Sequence, residues 1–186
     1  MKIDINNIDE KYGIIYTDPP WQQGKGGKKK ARPNSSGGKL NYPTMPLQYI
    51  RELHRKVLEN LTEEKHNVFM WTIDKYLIET QKFMEELGYI LHARIVWNKV
   101  TGVAPAFTVR YVCEYLLWFY KKGDMLKPCE ETRGKYSTVI VEKVKKHSQK
   151  PEQAYLMLED MFRGVSKLEL FARGHREQWN CWGNEV

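Results

Sequence analysis

The residues best suited to chemistry in this chain are Asp18, Pro19, Pro20 and Trp21, which directly follow the apolar run Tyr12–Thr17. The run predicts a buried strand, so the acid and the two prolines stand where the strand ends and a loop opens. Consecutive prolines fix φ near −65° and remove two backbone donors, which stiffens the loop and leaves its carbonyls free to accept hydrogen bonds. A carboxylate, rigid carbonyls and a flat indole together predict a receptor for a planar group with an amine, such as the edge of adenine. The alternative is a strand cap followed by a proline-rich turn.

The tetrapeptide resembles the catalytic motif of amino-group methyltransferases that use S-adenosylmethionine. The rest of the chain narrows the resemblance to the MT-A70-like adenine-N6 family, in its compact phage and bacterial form. The matching stretches follow the family's order over nearly the whole chain: 12–21, 41–45, 68–72, 95–99, 147–151, 167–173 and 182–185. The catalytic motif precedes the cofactor segment, which resembles the family's circularly permuted arrangement. The resemblance implies S-adenosylmethionine as cofactor and nucleic acid as partner, with DNA favoured over RNA.

Most residues that the resemblance assigns to the cofactor lie near the C-terminus. No G-x-G-x-x-G is present, but S-adenosylmethionine has no pyrophosphate to cradle. Lys150 precedes a predicted helix whose free N–H groups and dipole favour an anion, so we expect it to meet the methionine carboxylate. Glu169 offers a carboxylate for ribose hydroxyls. A solvated lysine and a solvent-facing strand residue are the alternatives. The expected cofactor set is Asp4, Ile5, Asp18, Pro20, Lys150, Glu169, Arg173, His175, Asn184 and Glu185.

For the reaction, we expect Asp18 and the carbonyl of Pro19 to accept the two hydrogens of adenine N6, which exposes the nitrogen lone pair to a sulfonium methyl. Neither a metal nor a covalent intermediate is implied. Trp21 and Tyr42 are expected to stack on or flank the base, and Trp97 is a further candidate. Tyr42 and Trp97 also fit as partly buried core aromatics. A paired base cannot reach such a site, so the target must be flipped out or unpaired.

Residues 22–40 form a segment rich in glycine, serine and lysine that cannot pack a core. Residues 22–39 supply six of the seven net positive charges of the chain and contain no acid. We therefore expect a flexible basic loop next to the catalytic motif, in which Lys28, Lys29 and Lys30 contact nucleic-acid phosphates. A solvated insertion without a ligand is the alternative.

Length and composition predict one domain over residues 1–186, with 41% hydrophobic residues and enough aromatic side chains for a packed core. No apolar run reaches ~18 residues and no signal peptide is evident, so we expect a soluble, cytoplasmic protein. The three cysteines are far apart and odd in number, which predicts buried, reduced thiols.

Periodicity predicts strands alternating with amphipathic helices, hence an α/β fold with a largely parallel central sheet, as in Rossmann-like methyltransferases. Helices are expected over 46–61, 73–88 and 151–162. Strands are expected over 12–17, 68–72, 89–97, 110–120, 137–144 and 167–172, with a short piece around Trp182. In such sheets ligands bind beyond the carboxyl ends of the strands, where Asp18 and Arg173 both stand.

The leading interpretation is a DNA adenine-N6 methyltransferase. An RNA adenine-N6 methyltransferase is the nearest rival, because no residue distinguishes deoxyribose from ribose. A non-catalytic nucleic-acid-binding partner subunit is a different class, disfavoured because the catalytic and cofactor motifs are intact. Relatives that act as dimers make a homodimer a further expectation.

Overall fold

The structure, a computed structural model, describes residues 1–22, 44–101, 109–145 and 149–186. The described helices are α1 (Leu47–Asn60), α2 (Leu77–Glu86) and α3 (Glu152–Met161), with short 3-10 turns at Asp74–Tyr76 and Glu130–Thr132. The described strands are β1 (Tyr12–Thr17), β2 (Thr62–Thr72), β3 (Tyr89–Asn98), β4 (Cys113–Lys121), β5 (Val139–Val141), β6 (Lys167–Leu170) and β7 (Asn180–Trp182).

These strands form a mixed sheet in the order β5-β3-β4-β2-β1-β6-β7. β1 is parallel to both β2 and β6, β3 is parallel to β5, and β6 is parallel to β7. β4 is antiparallel to both of its neighbours. The predicted α/β fold with a mostly parallel sheet and flanking helices is therefore confirmed.

The central strand β1 is buried on both faces because helices cover the sheet from both sides. Ile15 contributes to a core with apolar residues of α1 and α2, including Val57 and Phe83. Ile14 and Tyr16 point to the other face and pack in a second core with α3. The continuous apolar run of β1 thus follows from its place between two cores.

The strand ends that are relevant to function lie at one edge of the seven-stranded sheet. The carboxyl ends of β1, β2, β3, β5, β6 and β7 meet there, and so does the amino end of the antiparallel β4. The chain runs from β1 to β2 on one side and places β6 on the other, so a topological switch point lies between β1 and β6. Ligands of open α/β sheets bind at such points.

Several predicted boundaries differ from the structure. β2 begins at Thr62 instead of residue 68, because an irregularity in its pairing with β1 accommodates a polar, exposed first half. The expected helix 73–88 is divided into a 3-10 turn and α2. β6 ends at Leu170 because Phe171 adopts a left-handed φ of 60°. β4 and β5 are placed at 113–121 and 139–141 instead of 110–120 and 137–144.

All three cysteines are free thiols, but only Cys181 is buried, whereas Cys113 and Cys129 are partly exposed. Among the described residues, no helix combines the length and apolar character needed to cross a membrane.

Candidate active site

Asp18 lies at the switch point, one residue beyond the buried end of β1. Its N–H faces the carbonyl of Leu170 at the end of β6 (3.4 Å), and its side chain is 15% exposed. The carbonyl of Pro19 accepts the N–H of Trp21 (2.8 Å), and that of Pro20 accepts the N–H of Met45 (2.9 Å). The loop is thus held from within, and each carbonyl keeps one lone pair for a further donor.

A row of alternating charges crosses the site. The Lys150 ammonium lies 2.9 Å from Oδ1 of Asp18 and 2.7 Å from Oε2 of Glu114. Lys99 binds the other oxygen of Glu114 at 3.1 Å. The Lys150 ammonium also sits 5.2 Å from the ring centre of Trp71, within cation–π range.

This arrangement sets the protonation of the three groups. Burial raises the pKa of Asp18, and the nearby ammonium of Lys150 only partly offsets that effect. Burial alone would lower the pKa of Lys150, but the carboxylates of Asp18 and Glu114 raise it well above its ordinary value. Burial would likewise raise the pKa of Glu114, yet Lys150 and Lys99 keep it below its ordinary value. Lys150 therefore stays charged, and Asp18 becomes a stronger proton acceptor than an exposed aspartate.

The expected anion site at the start of the third helix is already filled by the protein. The Glu142 carboxylate accepts the N–H groups of Glu152 and Gln153, each at 3.1 Å. The ammonium of Lys150 faces Asp18 and Glu114 instead of the helix N-terminus. The expectation that the first N–H groups of this helix are free for an anion is therefore wrong, because Glu142 caps them, whereas the assignment of Lys150 to the cofactor carboxylate stays a prediction.

Glu169 is a buried strand residue, not a solvent-facing one, with 7% of its surface exposed. The Tyr155 hydroxyl donates to its Oε1 (2.7 Å), and the ring centre of Tyr155 lies 4.9 Å from that of Tyr16. The Trp71 indole in turn donates to the Tyr16 hydroxyl (2.6 Å). Burial, reinforced by the charge of Asp18, raises the pKa of Glu169 to about 7, although the Tyr155 hydrogen bond works in the opposite direction.

A cavity of about 270 Å³ opens between the ends of β1 and β6 and joins these groups. It brings together six of the residues that the sequence assigned to the cofactor: Asp18, Lys150, Glu169, Arg173, His175 and Glu185. Arg173 and Glu185 form an ion pair of 3.3 Å at its rim. Phe171 lines this cavity and also a smaller one of about 100 Å³, which contains Pro20 and Asn184.

Asp4 and Ile5 lie outside both cavities. The Asp4 carboxylate accepts hydrogen bonds from Asn6 and Asn7 in a local turn. Ile5 lines a third depression that shares Met45 and Trp182 with the smaller cavity. The predicted cofactor residues other than Asp4 therefore follow one connected surface from Asp18 to Ile5.

The two predicted substrate tryptophans that the structure describes are buried. Trp21 is 5% exposed, donates to the Trp71 carbonyl (3.1 Å), and is covered on one face by Tyr76 at 5.0 Å. Trp97 is 2% exposed and donates to the Glu142 carbonyl (2.7 Å). Both are core aromatics with satisfied N–H groups, so neither presents a free ring face to a base. Lys28, Lys29, Lys30 and Tyr42 lie outside the described residues, as does the predicted basic loop beyond Gln22.

Sequence reasoning missed Glu114, Tyr155 and Arg176, all of which meet the site. Glu114 precedes the apolar core of β4, and an acid at the start of an apolar strand was the available signal. Tyr155 faces inward from α3 and contacts Glu169. Arg176 lines the cavity, lies 4.7 Å from the ring centre of Tyr155, and pairs with Glu152 and Glu159 on α3.

Comparisons with known proteins identify the family of the chain. The sequence profile of the MT-A70 family matches residues 12–185. The chain is 27% identical over 205 residues to the type II methyltransferase M.MunI of Mycoplasma sp, covering 98% of this chain and 84% of that protein. It is 24% identical to the human N(6)-adenosine-methyltransferase catalytic subunit METTL3 and 26% identical to the Arabidopsis thaliana N(6)-adenosine-methyltransferase MT-A70-like protein. Those alignments cover 95% and 94% of this chain but only 28% and 24% of the longer proteins. With a match over nearly its whole length, the chain belongs to the MT-A70 family, whose members include adenine-N6 methyltransferases.

Proposed function

We propose that this protein transfers the methyl group of S-adenosylmethionine to the exocyclic N6 of adenine in DNA. The observation that carries the proposal is the shared cavity: the Asp18 carboxylate opens into the same space as Glu169 and Arg173. A carboxylate that can accept an amine hydrogen (Asp18) thus lies beside charged groups that suit a zwitterionic nucleoside (Glu169 and Arg173), at the switch point of the sheet.

The residues present fit S-adenosylmethionine in chemistry and in place. Glu169 is a buried carboxylate that faces the cavity and suits the ribose hydroxyls. Arg173 and His175 line the same space and suit a carboxylate. Phe171 provides an apolar wall that continues into the smaller cavity beside Asn184. When bound, the cofactor would supply an electrophilic methyl carbon on a sulfonium.

The chain's own residues would then handle the amine of adenine. Asp18 would accept one N6 hydrogen, and the spare lone pair of the Pro19 carbonyl would accept the other. Methyl transfer would form the bond between N6 and the methyl carbon as the carbon–sulfur bond breaks, leaving a neutral thioether. The proton that N6 must then lose would pass to Asp18. The raised pKa of Asp18 favours that role. Lys150 and Glu114 hold the carboxylate in a fixed charge environment, so positioning and electrostatics supply the rate.

Exposed cations along the edge of the sheet that bears Asp18 support a polyanionic substrate. Lys75 follows β2, Arg110 precedes β4 and Lys143 follows β5, so all three lie at the same edge of the sheet as Asp18. In the part of the chain that the structure describes, none of the three is ion-paired with a carboxylate. The nucleic-acid strand is therefore proposed to cross the β2-β4-β3-β5 side of the edge, opposite the cofactor cavity. A base from a duplex would have to be flipped out to reach Asp18.

RNA is the alternative substrate, because several relatives are named N(6)-adenosine-methyltransferases. DNA is preferred since the chain matches 84% of a bacterial type II methyltransferase but about a quarter of those longer relatives. A non-catalytic partner subunit is disfavoured by the intact Asp18–Lys150–Glu114 arrangement. A homodimer is also proposed, and sedimentation analysis would detect it.

Incubation with methyl-labelled S-adenosylmethionine and, in parallel, duplex DNA, single-stranded DNA and RNA tests the proposal. Nucleoside analysis should find N6-methyl-2′-deoxyadenosine from DNA. Label in N6-methyladenosine alone would assign RNA as the substrate. Absence of both label and calorimetric cofactor binding would favour the partner-subunit interpretation and refute ours.

A further inference from the structure

Lys150 depends on a fixed backbone for its place in the site. Its side chain is 9% exposed, and its ammonium bridges two carboxylates, Asp18 directly after β1 and Glu114 in β4. A lysine side chain has a long flexible stem, so an ammonium stays between two partners only if its Cα is held. The next residue, Pro151, is buried and begins the turn into α3, where its carbonyl accepts the N–H of Ala154 (3.1 Å).

Glu142, which directly follows β5, in turn holds the start of α3. Both oxygens of Glu142 are used, one on each of the first two helical N–H groups. The N-cap residue itself makes no side-chain cap hydrogen bond, so this distant carboxylate takes that part. A carboxylate at a helix N-terminus also interacts favourably with the helix dipole.

The backbone of Glu142 is fixed to the sheet. Its N–H donates to the Asn98 carbonyl (3.2 Å), and its carbonyl accepts the Trp97 indole N–H (2.7 Å). The same residue thus ties the end of β5 to β3 through its main chain and to α3 through its side chain. Glu142 does not line the cavity beside Asp18.

We propose that Glu142 is a positioning residue, which holds the ammonium of Lys150 between Asp18 and Glu114 by anchoring the start of α3 to the sheet. The inference concerns the geometry of Lys150, and its consequence for methyl transfer rests on the proposed function. A cap that served stability alone would leave Lys150 in place when lost.

The rate at which Lys150 is chemically labelled reports whether its ammonium is held between the two carboxylates, and this measurement does not require methyltransferase activity. Reductive methylation followed by peptide mass spectrometry compares Lys150 with the exposed Lys122 in the same sample. Pairing protects an amine, since each unit of raised pKa lowers its reactive fraction about tenfold. In the unsubstituted protein, Lys150 should be labelled at least roughly tenfold more slowly than Lys122; in Glu142→Ala the two rates should approach each other. Glu142→Gln, which keeps the shape and one acceptor, should give an intermediate result and serves if the alanine variant does not fold.

Two controls separate positioning from general loosening. Lys145→Ala removes the ion pair of Glu142 (3.4 Å) but keeps the cap, and should leave Lys150 protected. Val57→Ala opens the core on the opposite face of the sheet and should destabilise the fold without exposing Lys150. Unchanged Lys150 labelling in the Glu142 variants would overturn the proposal. Labelling of Lys150 in Val57→Ala as fast as in Glu142→Ala would also overturn it.

Kinetics of the same variants extend the test. Glu142→Ala should lower kcat by roughly 10–100-fold, the cost of small misplacements in an active site, with little change in the KM for DNA. An exposed Lys150 with unchanged kcat would refute the link to catalysis. A protein inactive even without substitution would refute the proposed function, while the labelling comparison would still decide the role of Glu142.

Discussion

Replacing Glu169 by glutamine removes a buried ionisable group while keeping its shape and its acceptor for Tyr155. The pKa of Glu169 rises from an ordinary 4.5 to about 7. Between these two pH values the folded protein holds a proton that the unfolded chain has released. The unfolding free energy therefore falls as pH rises from 4.5 to about 7, and the loss is complete above about 7. At about 1.4 kcal/mol per pKa unit, the full cost above that value is about 3 kcal/mol.

The assay is urea unfolding without cofactor at pH 5.5 and pH 8. Through this one group the unsubstituted protein should lose about 2 kcal/mol of unfolding free energy between the two conditions, and Glu169→Gln should not. Titrating groups away from the cavity affect both proteins alike, so the difference between their pH dependences reports on Glu169 and the groups coupled to it, such as Asp18. Exposed Glu177, substituted in the same way, should reproduce the unsubstituted behaviour. Parallel pH dependences for the unsubstituted protein and Glu169→Gln would refute the burial argument.

Three further predictions follow from the site. Glu114 raises and Lys150 lowers the pKa of Asp18, so Glu114→Gln should move the acid limb of the activity profile to lower pH and Lys150→Met to higher pH; shifts in the same direction would contradict the charge row. Neutralising Lys75, Arg110 and Lys143 together should reduce the salt dependence of duplex binding by roughly 0.9 slope units per lost phosphate contact. The matched triple of Lys65, Lys122 and Lys127, away from the Asp18 edge, should not, and equal effects of the two triples would remove the proposed strand path. Gly183→Ala would place a Cβ 2.4 Å from the Ala172 carbonyl oxygen and should lower the free energy of thermal or chemical unfolding by about 1–3 kcal/mol. Gly174→Ala is the control, because no atom outside the neighbouring residues lies within 4 Å of the added Cβ. Equal stability of the two variants would show that the backbone does not approach closely at Gly183.

The elements of the fold that were predicted correctly are those whose burial leaves a regular pattern of apolar residues in the sequence. The buried run of β1 and the inward face of α3 were both evident, because burial on a helix or a strand leaves a period in the sequence. The first half of β2 was not, since Thr62 to Lys65 is polar and mostly exposed and pairs only through an irregular register with β1. The end of β6 depends on the backbone of Phe171, which no periodicity records.

The site was predicted only where a motif carried it. Asp18 was found from its motif at the end of a buried strand and Glu169 through resemblance, and the structure brings both to one cavity. Glu114 reaches that cavity's edge because β4 runs antiparallel, which places the start of the strand beside the ends of its neighbours. Glu142 caps α3 across a connection between two elements, a contact that spacing cannot reveal. Trp21 and Trp97 appeared as candidate base contacts, but packing decided their burial.

Single-turnover methylation of an adenine-containing oligonucleotide by the unsubstituted protein and by Asp18→Asn tests the account most directly. The substitution keeps the size of the side chain and removes its capacity to take a proton from N6. The methylation rate should fall by roughly 100-fold or more, with S-adenosylmethionine binding largely retained. A rate near that of the unsubstituted protein would contradict the assignment of Asp18 as the group that receives the amine.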